Sequence, residues 1–396
     1  MDIFFKCVVL VCLWQPVHAA TIRVDDFEGL KSALAASAPG DLILLEDGDY
    51  EISGQFALPV NTEGVTIRGL SGTARNVVIS GQGMYGDVSH GFWINAHHVT
   101  IEHLTVQSVS NHCIQTDVNV DHLRVSGCIF RDSYEQMLKV PKSDRVPDPS
   151  EAGIVEGCVF EYTSGVAPNW YTGGVDVHFG ENWIIRGNTF KDIQSPGGGI
   201  SEHAVHFWSG SSATLVEQNL VVNCDRGIGF GLGDSPHTGG IIRNNMIYHD
   251  GSGVFADVGI VIESSSDTRI YNNTVYLNHN RYANAIEFWQ TGTTGAYIAN
   301  NLTNKLISDR GSGTGVVENN ITDARISWFA EAAAFDLHLS GMIPEVVDQG
   351  IAIDGLADDF DADRRPLRGG IDIGADEYPW PAVNLPIFLL LLQGGE

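Results

Sequence analysis

The chain reads as all-β, a single-stranded right-handed parallel β-helix. This is a solenoid of about 10–11 coils with a helical N-terminal cap and a C-terminal cap. Three observations predict it. Ten short phrases with one shared ending recur along the sequence, and six of those endings are asparagine. Apolar residues alternate with period two inside the units. No long stretch keeps the 3.6-residue period of a helix.

The phrases are "TIRGL", "TIEHL", "RVSGC", "GIVEGC", "IIRGN", "LVEQN", "IIRNN", "RIYNN", "YIANN" and "VVENN". They end at Leu70, Leu104, Cys128, Cys158, Asn188, Asn219, Asn245, Asn273, Asn301 and Asn320. Successive endings stand 19 to 34 residues apart, the period of a solenoid unit. Equivalent residues of neighbouring coils stack at about 4.8 Å, so amides at an inward turn bond to one another up the stack. Cys128 and Cys158 share that column one coil apart, where a disulfide and a pair of buried thiols both fit. Asn272-Asn273-Thr274, Asn301-Leu302-Thr303 and Asn320-Ile321-Thr322 match a glycosylation sequon, but the ladder buries Asn301 and Asn320.

The ends complete the organisation. Residues 1–19 read as an export signal: Lys6 precedes the apolar run Cys7–Trp14, and "VHA" at 17–19 offers small residues for cleavage. Residues 20–60 form the N-terminal cap and first coil. There Phe27, Leu30 and Leu34 share a helical face and Pro39-Gly40 turns the chain into a strand. Residues 61–325 are the coils and 326–396 the C-terminal cap and tail. In that tail "DDFDADRRPLRGGIDIGADEY" (358–378) closes the stack. Its acidic run reads as a solvated loop, since it lacks the nonapeptide calcium repeat. The apolar "LPIFLLLL" (Leu385–Leu392) is eight residues long, against roughly 20 for a membrane span, so none is expected. With 22 Lys+Arg against 49 Asp+Glu the net charge is −27. That acidity excludes nucleic acid as a general partner and suits a soluble protein secreted to the periplasm or beyond, expected to be a monomer.

On these phrases and ends the chain resembles the pectate-lyase-like superfamily of secreted right-handed β-helix proteins with PbH1 repeats. "APGDLILLEDGDY" is similar to the N-terminal cap of the chondroitinase-B and alginate-lyase group. "IDIGADEY" is similar to the C-terminal cap of bacterial β-helix proteins. The resemblance implies a carbohydrate-active protein. It does not choose a reaction, because this fold hosts lyases, hydrolases, epimerases, esterases and adhesins.

Register along the strand before each asparagine phrase selects an outward face. With Leu138/Val140, Val175/Val177 and Val205/Phe207 inward, alternation sends Trp93, Gln115, Lys139, Asp176, His206, Gly229, Val261 and Glu287 outward in one column. The next outward column reads Asn95, Asp117, Pro141, His178, Trp208, Gly231, Glu263 and Trp289. Lys139, Asp176, His178 and His206 thus gather within roughly 5–10 Å by the inter-strand spacing. Gly229 and Gly231 follow as a bare floor. Trp208 and Trp289 are expected as exposed platforms, with Glu263 and Glu287 on the far side. Long connections, "PKSDRVPDPSEA" among them, make walls. A plain solubilising surface is the competing reading, with Lys139–Asp176 an ordinary cross-strand pair.

The cluster suits β-elimination at a uronate of an acidic polysaccharide. A cation steadies the carboxylate as the C5 proton leaves, a base takes it, and an acid meets the leaving oxygen. Lys139 is the candidate base or neutraliser. His178 or His206 takes the other proton-transfer role. Asp176 orients them, or with Glu263 holds a calcium ion, and Asp176, His178 and His206 form a further candidate metal set. Gln115, Arg145, Trp208, Trp289, Glu263 and Glu287 are candidate substrate contacts. Lys139, Lys142 and Arg145 form a local basic patch in an acidic chain. Asp176 and His178 also resemble the Asp and His in the Asp-Pro-His of alginate C5-epimerases. Here Val177 replaces the proline, and Gly173, with Tyr171 nearby, stands where that family has tyrosine. A glycoside hydrolase using Glu263 and Glu287, and a glycan-binding solenoid without catalysis, are the alternatives. In "EHAVH" strand geometry predicts His203 and His206 on opposite sides, which argues against a metal site there.

Overall fold

The computed structural model describes residues 19–379; the apolar runs Cys7–Trp14 and Leu385–Leu392 lie outside them. The chain winds as a right-handed parallel β-helix. Walls of twelve, ten and ten strands run along it, with a shorter wall of five. No helix among the described residues is long and apolar enough to cross a membrane.

The helix α1 (Phe27–Ala36) follows the first strand, Thr21–Val24. Asp26 caps it by accepting the Gly29 amide at 2.7 Å, and Phe27, Leu30, Ala33 and Leu34 are buried. The inward column of one ten-stranded wall runs from Phe92 through Leu138, Val175 and Val205 to Ile286 within one continuous core. That core fixes the register, because a one-residue slip would turn every apolar side chain outward.

The asparagine column is a hydrogen-bonded ladder. From Asn188 to Asn301 each backbone amide donates to the next asparagine's Oδ1 at 2.8–3.1 Å, ending at Asn320. Each Nδ2 donates to the same atom at 2.9–3.0 Å. Cys128 and Cys158 are buried thiols, with Cys158 Sγ accepting the Cys128 amide at 3.4 Å.

The residue before each ladder position sits in the left-handed region, with φ of 52–61° at Gly127, Gly157, Gly187, Gln218, Asn244, Asn272, Asn300 and Asn319. Glycine and asparagine adopt this conformation at least cost. The change from glycine to amide has a second cause. Gln218, Asn244, Asn272, Asn300 and Asn319 donate to the carbonyls of Asp359, Asp358, Asp372, Ile351 and Gln349. Residues 349–374 therefore lie along the flank of five coils instead of closing the last one. The expected end cap is a lateral strap. Its acidic residues are spent on the loop itself: Asp359 accepts the amides of Asp361 and Asp363, and Glu377 pairs with buried Arg365.

Candidate active site

Three neighbouring strands, Leu138–Val140, Val175–His178 and Val205–Trp208, carry the cluster. Lys139 pairs in register with Asp176, Asp176 with His206, and His178 with Trp208. The inward residues are fully buried, so the outward side chains have fixed origins.

Asp176 is the hub. Its Oδ2 accepts from Lys139 Nζ and lies 3.6 Å from His178 Nε2; its Oδ1 accepts Trp208 Nε1 at 2.8 Å. Burial works against its charge. The Lys139 ammonium outweighs burial, helped by His178 and His206, and the carboxyl is held below its usual range. Lys139 Nζ also reaches His178 Nε2 at 2.9 Å. An ammonium only donates, so this contact places the lone pair of His178 on Nε2. The Lys139 and His178 side chains are 10% and 20% exposed, enough for both to meet a molecule laid on the wall.

Other expected positions differ. His206 is buried and Trp208 stacks flat over it, ring centroids 5.2 Å apart. His206 therefore lies behind the surface, out of reach of a polymer. Burial pushes it toward the neutral form against the pull of Asp176 and Glu202. Trp208 is half-buried and belongs to the cluster instead of standing as an open platform. Trp289 is half-buried too, with the Arg310 guanidinium 4.2 Å over its ring.

Glu287 is closed by Tyr282 (2.5 Å), Asn284 (2.9 Å) and Arg310 (3.0 Å). Glu263 accepts the Gly233 amide at 2.8 Å. It stands three coils beyond Asp176, about 14 Å by the strand spacing, so the two do not share one calcium ion. Gln115 lies between Trp93 and Lys139 and donates to the Thr116 carbonyl at 2.7 Å. Arg145 is exposed, and the hydrogen bond described for it is a backbone one to Ser143. Lys142 instead reaches the cluster's edge, donating to the Ser209 carbonyl at 3.0 Å.

The glycine floor is filled. The His203 ring sits on Gly229, where a Cβ would lie 2.8 Å from its Nε2. The chain bends at Ala204, which breaks strand alternation and brings the His203 and His206 ring centroids to 4.4 Å. Sequence reasoning missed His203, Glu202, His112 and Glu135. Buried His112 donates from Nδ1 to the Gln136 carbonyl at 2.6 Å, and burial drops its pKa to about 3. A signal existed: the residues two before each inward pair read His90, His112, Gln136, Gly173, His203 and Arg226, too polar for the inside.

The family described as a right-handed β-helix region matches residues 144–303. No curated protein matches the chain at the sequence level. Among solved structures, an alginate lyase from Paenibacillus sp. str. FPU-7 is similar at 18% identity and a TM-score of 0.54, over 76% of this chain and 99% of that one. The GH136 lacto-N-biosidase of Eubacterium ramulus is similar at 13% identity and 0.50, over 76% and 67%. Pectate lyase Pel9A aligns at 14% identity and 0.47, over 88% and 90%. Likeness at this level establishes the fold.

Proposed function

We propose that the chain is a secreted polysaccharide lyase acting on a uronate polymer by β-elimination. The observation that carries this reading is the chain of contacts from buried Asp176 through Lys139 to the partly exposed His178. Lys139 serves as the neutraliser: its ammonium, oriented by Asp176, receives the uronate carboxylate. That contact draws the ammonium from His178 and frees Nε2 to take the C5 proton. The C4–O bond breaks, the C4–C5 double bond forms, and an ammonium proton of Lys139 passes to the leaving oxygen. The imidazolium left behind faces Asp176. Lys142 adds a second cation at the edge, which matters in a chain of net charge −27 that repels polyanions elsewhere. The alginate lyase relative is consistent with the substrate class. A hydrolase is less well supported, because its two carboxylates must be free to act and Glu287 has no spare oxygen.

The test is the ultraviolet absorbance of unsaturated uronate on alginate, pectate, chondroitin sulfate and hyaluronan, with and without calcium. Activity on one polymer, abolished by Lys139→Ala and by His178→Ala, is expected. A flat trace on all four sinks the lyase reading. Proton NMR of the recovered polymer then separates C5 epimerisation from binding alone.

A further inference from the structure

Behind the proposed reaction surface, Glu202, His203 and His206 converge. One ligand atom from each lies within 4.8 Å of the others, and His206 Nδ1 is 3.9 Å from Glu202 Oε2. His206 Nε2 donates to the Gly231 carbonyl at 3.2 Å, which leaves the Nδ1 lone pair facing the glutamate. A lone pair beside two carboxylates, Glu202 at 3.9 Å and Asp176 at 4.0 Å, is repelled unless a cation lies between. The independent observation is His203. Its side chain is buried, and both ring nitrogens lack a hydrogen-bond partner. Buried polar atoms are nearly always paired, so two orphans on one ring beside a carboxylate and a second imidazole need an occupant.

We propose that Glu202, His203 and His206 form a binding site for one divalent transition-metal ion of the zinc class. Two imidazoles and one carboxylate are a three-ligand zinc set, and imidazole selects against calcium and magnesium. Tetrahedral zinc holds its ligands about 3.4 Å apart, by its bond lengths of about 2.0–2.2 Å. The His206–Glu202 pair therefore closes by about half an ångström, within reach of the three rotatable bonds of Glu202. The bond from His206 Nε2 to Gly231 supplies the outer contact that orients a metal-bound imidazole. Access exists as well. Glu202 lines a cavity of about 290 Å³ together with Gly198, Gly199, Arg226 and exposed Trp170. Gly229 is part of the site, because any side chain there displaces the His203 ring.

The site is independent of the lyase reading and is tested without a polymer. The mature chain is stripped with EDTA, desalted and titrated with Zn²⁺ or Co²⁺. Metal content and the visible ligand-field spectrum of Co²⁺ are read. One ion per chain with a tetrahedral Co²⁺ spectrum is expected, displaced by Zn²⁺. His203→Ala and Glu202→Gln should each weaken zinc binding by about 100-fold or more, since even outer contacts are worth 10–100-fold. Glu202 is partly exposed, so its variant keeps the fold even if His203→Ala does not. His338→Ala, at the other histidine–carboxylate cluster, should leave binding unchanged. No stoichiometric binding by the wild type overturns the proposal. So does undiminished binding by Glu202→Gln, or loss of binding in His338→Ala alone.

Discussion

Two carboxylates in the outward column of one wall, Asp176 and Glu287, are each ion-paired, with Lys139 and with Arg310, and their surroundings differ. Glu287 is buried and its oxygens are taken by Tyr282, Asn284 and Arg310. Arg310 then covers Trp289. A guanidinium keeps its protons, so this cluster has nothing to exchange with a substrate. Asp176 is equally buried, but its lysine passes on to an imidazole that meets solvent. The first arrangement holds the wall together. The second also connects a fixed charge to a partly exposed imidazole whose lone pair can take a proton. Charge content is the same in both; spare valence is what separates structure from chemistry.

Removing the carboxylates is the strongest way to break the comparison. Asp176→Ala leaves the Lys139 ammonium buried and unpaired and should cost about 3–5 kcal/mol. Glu287→Ala should cost less, about 1–3 kcal/mol, because Arg310 turns to solvent while Tyr282 and Asn284 lose an acceptor. Urea denaturation midpoints decide it, and equal losses would erase the distinction. Next in size is the split between stability and activity. His178→Ala should leave the melting temperature within a few degrees of wild type and remove the proposed lyase activity. Tyr282→Phe should lower stability by about 1 kcal/mol and leave turnover intact. If His178→Ala retains turnover, the chemistry does not lie in this cluster.

A pH comparison sharpens the picture at a different place. Asp176 is held below its usual range, so its contribution is complete at neutral pH and fades only as pH falls through that depressed value. The strap behaves in the opposite sense. Burial raises Asp372 and Asp376 to about 6. Their stabilisation is therefore present below the unfolded carboxylate value and is lost as pH rises toward 6. His338 is also raised: burial opposes its charge, but Asp336, Asp376 and Asp361 outweigh it. Its contribution holds below its unfolded value and fades above. Corrected for the intrinsic pH dependence of exchange, amide protection in residues 349–378 should rise from pH 7 to pH 4.5, while the site wall should lose protection, because buried His112 resists the proton its unfolded form takes up. Lower protection of residues 349–378 at pH 4.5 contradicts the assignment. The smallest effect belongs to Arg145→Ala, which should leave stability within about 0.5 kcal/mol, as for an exposed surface position. At most it should raise KM for a polyanion at low salt.

The coils and the register were legible because both obey local rules. Period-two alternation put Lys139, Asp176 and His178 outward, and the asparagine phrases placed the ladder. What escaped were features set by departures from those rules or by distant returns of the chain. The bend at Ala204 turns His203 out of strand alternation, and its one mark in the sequence is the polar column it shares with His90, His112 and Gln136. Arg310 reaches Glu287 from the wall's final coil, 23 residues on. The burial of Trp208 and His206 follows from their stacking, which an outward column cannot reveal. The lateral course of the strap has no local mark, because its partners, from Gln218 to Asn319, lie as many as 141 residues away.

That strap has a consequence for how such a chain changes over generations. Solenoids lengthen and shorten by duplication or loss of whole units, since each touches only its neighbours. At Gly127, Gly157 and Gly187, before Gln218, the turn residue is glycine and no strap carbonyl is matched to it, so a unit gained or lost there disturbs only adjacent units. Between Gln218 and Asn319 five successive turn amides are matched to five fixed carbonyls of one returning segment. Inserting a unit there would shift every later match by about 4.8 Å, beyond hydrogen-bonding reach. The strap acts as a ruler: it sets the number of units in the second half and leaves the first half, with the proposed reaction surface, free to vary in length.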